Sequence, residues 1–419
     1  MTAPGPPKTG SATLGTGLVN CLRNTSYLLY LFGTIAQFAA MSMQIITGPL
    51  LIYRLTESPG LLGTMSLVGS LPMILISVYG GVIADRMQKK KILIAGLIGS
   101  AIVSSCVGLV LATGVLSKEN AGSWWILFAC SFVQGSIMGL MMPAMQAILP
   151  EIVNRDQLMN AIALNTMGLN ILNLVAPVAA GFIIDSFDFQ TVYFTMAGLY
   201  ICAALFILFI AAKSSVTSGG QNVISEIQQG FRYIRKDSLI FFILVFTLFV
   251  VVLSMPYQQL LPLFTEDILK VGAKGQGTLM GIAGLGALLG SLILALMPNK
   301  KRGLLLLSSG IIAGASLIVF SFSRSMGLSM AFMFFVGLSQ TLRMTIGNAL
   351  VQSCTEGAYM GRVMSILNMQ WGLMSVCTFF AGILAEVVPV QWVLGSLATL
   401  LTVLSLLSVI FARNIRKID

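Results

Sequence analysis

The sequence predicts an all-α membrane protein with twelve transmembrane helices in two pseudo-symmetric six-helix halves. Three observations lead there. Hydrophobic residues make up 57% of the 419 and charged residues only 9%, against about 25% charged in soluble domains. Twelve apolar runs each reach the roughly 20 residues that cross a hydrocarbon core. Short stretches of the first half also recur in the second, as a parallel repeat requires.

The runs lie at 26–53, 59–84, 92–116, 122–149, 160–184, 190–212, 239–263, 275–298, 303–323, 327–352, 363–385 and 389–412. Before them, residues 1–22 read as a disordered cytoplasmic tail rich in Pro, Gly and Thr. That tail lacks the apolar core of a cleavable signal, so the first span is the expected insertion signal. Residues 23–212 form the first six-helix half and 238–419 the second. Between them, 213–237 is a cytoplasmic linker. Its Ser214–Gly220 stretch is flexible. Ile224, Ile227, Phe231 and Ile234 then follow at helical spacing beside Arg232, Arg235 and Lys236. This predicts an amphipathic helix on the inner membrane face, the alternative being a solvated linker with chance periodicity. In the repeat, Gln146–Glu151 before Asn165 answers to Gln352–Glu356 before Asn368. Ala180–Asp185 answers to Ala381–Glu386. The offsets are 206, 203 and 201 residues.

Lys and Arg set the orientation. With both termini cytoplasmic, 18 of the 24 fall inside, while Arg54, Lys118, Lys270, Lys274 and Arg324 fall outside and Arg343 lies within a span. The acids divide 7 and 7, as expected if only basic residues carry the signal. The net charge of +10 therefore points to topology and to anionic lipid head groups as partners. It does not point to nucleic acid, since the cations are scattered over separate loops. Six cysteines sit in spans or on the inner side, which predicts neither disulfides nor a metal site. No cofactor is expected. Nearly every residue is span or tight turn, and no nucleophile–base or metal-ligand cluster is present, so no enzyme is expected.

The loop after the second span, Gly80–Lys91, is the most specific motif. It sets Asp85 among Arg86, Lys89, Lys90 and Lys91. A topogenic basic turn accounts for the lysines but not for the acid. Its pattern Gly-x-x-x-Asp-Arg-x-x-Lys-Lys, from Gly81, resembles the loop signature of the major facilitator superfamily. The resemblance implies the twelve-helix fold of that superfamily and transport by alternating access. It also implies a conformational gate in which Asp85, with Gly81, Arg86, Lys89 and Lys90, faces a helix N-terminus near Gly361 and Arg362 in the other half. A carboxylate there gains about 0.3–1 kcal/mol, and ~2 if partly buried.

Ala176-Pro177-Val178-Ala179-Ala180-Gly181 resembles the Gly-Pro-x-x-Gly-Gly helix motif of the superfamily's exporters, the alternative being ordinary tight packing by small residues. Leu149–Val153 leading to Asn160-Ala161, with Asn348–Gln352 leading to Gly361–Ser365, resembles the macrolide-efflux and enterobactin-export branch of prokaryotic transporters. Met360 stands where that branch usually has arginine. Helices one, four, seven and ten line the cavity in this superfamily. On them the sequence offers Gln37, Met41 and Gln44; Gln134, Met138, Met141 and Met145; Ser254, Met255 and Gln258; and Gln340, Arg343 and Gly347. Of these, Gln37, Met41, Gln44, Gln134, Met138, Gln258, Gln340 and Arg343 are the candidate substrate contacts. Amides among soft methionines suit a bulky amphiphile, although such stripes also serve as plain packing.

There is no histidine, and no Asp or Glu lies mid-span, where proton relays are usually found. The candidate proton carriers are Asp85, Asp185, Glu266 and Glu386, all at span ends. Arg343 lies 9 residues before Gln352, roughly 13 Å up its helix, at a depth where a charge costs about 2.5–3.5 kcal/mol. It either snorkels to the head groups or lines the cavity, where it would disfavour cationic substrates. Together these features predict a monomeric exporter of a small amphipathic compound in a prokaryotic plasma membrane, coupled to protons. A nutrient importer, a lipid flippase and a transporter-like receptor are the alternatives.

Overall fold

The structure, a computed structural model, describes residues 23–120, 122–153, 157–210, 229, 232–235, 237–297, 301–356 and 359–411, with backbone alone at 78–86, 365 and 368. The predicted tail and most of the predicted linker lie outside the described residues.

Helices α1 (Thr25–Thr56), α2 (Pro59–Arg86), α3 (Lys89–Ala112), α4 (Trp125–Ile152), α5 (Leu158–Ser186) and α6 (Phe189–Leu208) form one bundle. The second bundle holds α7 (Ser238–Ser254), α8 (Pro256–Leu263), α9 (Gly272–Leu296), α10 (Arg302–Phe322), α11 (Met326–Cys354), α12 (Met360–Asn368), α13 (Gln370–Val387) and α14 (Val390–Phe411). Taken with their breaks these are twelve membrane-length units. Eleven are apolar enough to span by composition. The twelfth, α11, has 29 residues but carries Gln340, Arg343 and Asn348.

Local chemistry sets the helix ends. Asn24 caps α1 by accepting hydrogen bonds from the Ser26 and Tyr27 N–H groups. Its amide also donates to the Ile152 carbonyl at the end of α4 (3.1 Å). Asp237 caps α7 the same way, at 2.8 and 3.3 Å. Both satisfy donors that a helix start leaves free. The third helix begins three residues before the expected 92 and ends at Ala112 rather than 116. Its early start is stabilised by an ion pair of Lys89 with Glu151.

Two expected single spans are interrupted. Pro256 cannot donate to the helix behind it and starts α8, and a π-turn, Phe264–Ile268, then extends the unit with a Leu269 N–H to Phe264 bond of 2.8 Å. The eleventh span breaks at Met369 into α12 and α13.

The bundles touch through α1 and α2 against α8, α1 and α5 against α9, and α2 against α13. The hydrogen bonds and ion pairs that join them through Tyr53, Arg54, Ser58, Gly60, Asp185 and Glu386 lie at one end, the end that the basic-residue count assigns to the outside. The larger hydrophobic core runs through the first bundle into the second at this outer end, through Tyr257, Leu260, Phe264 and Phe320. A separate core at the inner end, with Ile243, Leu306, Leu350 and Leu367, belongs to the second bundle alone. The two bundles are closed against each other at this end.

Candidate functional site

The outer closure is built from four acids. Asp185 ends α5, and its carboxylate accepts the Lys274 N–H in the first turn of α9 (2.8 Å). Glu386, near the end of α13, accepts the Gly60 N–H in the first turn of α2 (2.9 Å) and the Ser58 hydroxyl. Positions 60 and 274 are 214 apart, while 185 and 386 keep the 201-residue offset of the sequence repeat. The two contacts are related by the pseudo-twofold axis. In each, a carboxylate meets the partial positive charge of a helix N-terminus.

Glycines let these helices approach. A Cβ at Gly181 would lie 2.4 Å from the Ala273 carbonyl oxygen, and one at Gly382 would lie 2.6 Å from that of Pro59. Neither distance leaves room for a side chain.

The remaining two acids sit on the π-turn, whose extra residue per turn re-aims side chains. Arg54 Nε and Nη2 donate to Glu266 Oε1 at 3.1 and 2.8 Å, with Asp185 at 3.9 Å. The Tyr53 hydroxyl donates to Asp267. The Arg54, Asp185 and Glu266 side chains keep between 25% and 34% of their exposure, so each pair contributes at most about 1 kcal/mol. The ion pairs of the closure are therefore individually weak, laid over the apolar core that the two bundles share at this end.

The candidate substrate residues are placed in four groups, Arg343 standing by itself. Around the buried Tyr257 hydroxyl, Gln340 Nε2 stands at 3.2 Å and Gln258 Nε2 at 3.4 Å. Gln37 is buried on α1 and donates to the Met145 sulfur (3.3 Å), while Met41 and Gln44 are half-buried on the same helix. Gln134 turns to Ser100 on α3 (3.2 Å). Met138 is buried on α4 as well, and Met141 fills the space over Gly96 of α3. The fourth-span stripe thus packs within its own bundle.

Arg343 is 3% exposed and lines a cavity of about 20 Å³ with Thr247, Met344, Gly347, Asn348, Leu367, Gln370 and Trp371. It stands among residues of its own bundle, not opposite the amides of α1 and α4.

Of the predicted inner gate, Lys89 pairs with Glu151 and Lys90 donates to the Ile210 carbonyl (2.7 Å), both within the first bundle. Gly81, Asp85 and Arg86 fall on α2, where only backbone is described. The helix they were expected to face begins at Met360, with Gly361 exposed in its first turn. Arg362 lies over the Tyr359 ring (5.4 Å), which stacks on Tyr233 (4.3 Å). Ala176, Pro177 and Gly181 are buried. Gly181 and the Pro177 carbonyl abut Gly277 of α9, so this motif forms the crossing between bundles.

Sequence reasoning singled out Asp185, Glu266 and Glu386 as acids but missed their partners, and it missed Tyr53, Ser58 and Asp267 altogether. The Ala180–Asp185 and Ala381–Glu386 repeat was the signal available for the first pair. The π-turn left no comparable trace.

The sequence profile of the Major Facilitator Superfamily matches residues 30–378. The chain belongs to this superfamily. Macrolide efflux protein A of Streptococcus pyogenes is 26% identical over 401 residues, covering 91% of this chain and 96% of that protein. The staphyloferrin A transporter of Staphylococcus aureus is 22% identical over 373 residues, covering 87% and 88%. Among solved structures, a POT family transporter in complex with 5-aminolevulinic acid has a TM-score of 0.75 at 13% identity, covering 93% and 96%. The nucleoside transporter NupG has 0.70 at 12%, covering 91% and 99%. This superfamily member is a multi-pass membrane transporter of small molecules and not an enzyme. Among its described residues no group of three His, Cys, Asp or Glu could hold a metal ion.

Proposed function

We propose that the protein exports a small amphipathic compound, in the drug, macrolide or siderophore range, across a bacterial plasma membrane by alternating access. It acts as a monomer among anionic lipids and draws on the proton gradient. The observation that carries alternating access is the outer closure, two symmetric carboxylate contacts and two weak acid clusters that can part without breaking either bundle. Export is supported by the exporter-like motif at Ala176–Gly181, which forms the crossing between the halves, and by relatives named for efflux. Coupling to protons follows from the resemblance to the superfamily's drug exporters.

Import of a small nutrient, or movement of a lipid, is the second reading. The fold is equally that of the peptide and nucleoside transporters, and a gate of weak contacts works in either direction. Transport of a substrate panel in inverted and right-side-out vesicles, with and without a pH gradient, decides. Export gives gradient-dependent accumulation in inverted vesicles. Accumulation only in right-side-out vesicles establishes import.

A further inference from the structure

Arg343 is the one cation buried in the second bundle, and no hydrogen bond or ion pair holds it among the described residues. All acids of this half (Asp237, Glu266, Asp267, Glu356, Glu386 and Asp419) lie outside the middle of the spans. A guanidinium removed from water without a counter-charge is costly.

The cavity beside it has a second electropositive wall. The eleventh span is interrupted at Met369 by tight turns, with Met369 N–H to Ile366 at 3.2 Å and Gly372 N–H to Met369 at 3.1 Å. Gln370 and Trp371, the first residues of the 18-residue α13, both line the cavity. Broken membrane helices present such N-termini to anionic groups. Gln370 is buried, and its Oε1 has no hydrogen-bond partner.

We propose that Arg343, the start of α13 and the amides of Asn348 and Gln370 form a binding site for an oxyanion, the carboxylate of the transported compound. The cavity of about 20 Å³ is the size of a single water. It admits a head-group oxygen and no more. The rest of the compound lies outside, against Met344 and Trp371, which are 47% and 38% exposed. Gly347 is a buried part of the cavity wall, where a Cβ would meet the Thr247 methyl at 3.0 Å. The inference rests on the transport reading for where the carboxylate comes from, and it narrows the substrate to amphipathic acids or zwitterions.

The test is binding to the purified full chain, read by tryptophan emission with Trp371→Phe to assign the signal. Benzoate, benzamide and benzylamine share one shape and differ in charge, and sodium chloride serves as the inorganic arm. Benzoate is expected to bind saturably and at least about tenfold more tightly than the other two, as a charge-assisted pair would. Arg343→Gln should remove that preference, and Arg343→Lys should restore only part of it. Met344→Glu, at a half-exposed position of the cavity lining, should also weaken benzoate binding by repelling its carboxylate, and covers the case in which Arg343→Gln fails to fold. Equal binding of benzylamine, unchanged benzoate affinity in a folded Arg343→Gln, or a chloride signal that benzoate does not displace overturns the proposal. Binding is read without transport. Absence of the benzoate preference in an unsubstituted protein that transports refutes this site alone, and benzoate binding by an unsubstituted protein that moves nothing in vesicles refutes the transport reading instead.

Discussion

Asp185 and Glu386 close the outer face as a symmetric pair, each accepting a backbone N–H from the first turn of a helix in the opposite bundle. The same chemistry was expected on the inner side from Asp85. Carboxylates at helix N-termini form a gate that costs little to make and little to break, which suits a molecule that must alternate.

Neutralising either acid should loosen the outer face. Asp185→Asn and Glu386→Gln each forfeit about 0.3–1 kcal/mol, a shift of roughly two- to five-fold in the open-to-closed ratio. The two effects should add. Spin labels at Glu57 and Lys270, on opposite bundles at the outer end, would report this as a growing population at long distance.

Filling the crossings should have a larger effect. In Gly181→Val or Gly382→Val the new side chain meets backbone that cannot move aside. The outer face is expected to stay open, with transport down by about tenfold or more while expression and insertion persist, because overpacking of this kind costs about 1–3 kcal/mol. Vesicle transport together with the label distances separates a jammed gate from an unfolded protein.

On the inner side, Asp85→Asn is expected to abolish or sharply reduce transport in a protein that still inserts. Asp85 falls in the last turn of α2 beside a basic cluster, where topology does not explain an acid, and its loss removes the carboxylate expected at the helix that begins at Met360. Normal transport rates in well-expressed Asp85→Asn would leave Asp85 without a role in gating.

Orientation has a direct check. In a cysteine-free background, single cysteines at Lys118 or Lys270 should react with an impermeant thiol reagent from outside, and one at Ser218 should not. The opposite labelling pattern inverts the assignment of outer and inner ends.

The sequence by itself determined the class of molecule. Twelve runs of membrane length, few charges and the Asp85 loop sufficed, because a bilayer leaves a chain little choice but helices and a hydropathy run measures their length directly. The repeat also disclosed two equivalent acids, Asp185 and Glu386. What only the tertiary structure decided was where polar side chains point. Gln134 carries the same one-sided spacing as Gln340, yet Gln134 turns to Ser100 on the neighbouring α3 and Gln340 to the buried Tyr257 hydroxyl on α8, each within its own bundle. Periodicity marks a face without saying what covers it. The breaks at Met255 and Met369 were hidden within unbroken apolar runs and the π-turn lies just beyond the run that ends at 263, and together they set Glu266, Asp267 and Gln370 in place. Hydropathy is blind to such breaks, since an interrupted helix and a straight one transfer the same side chains out of water.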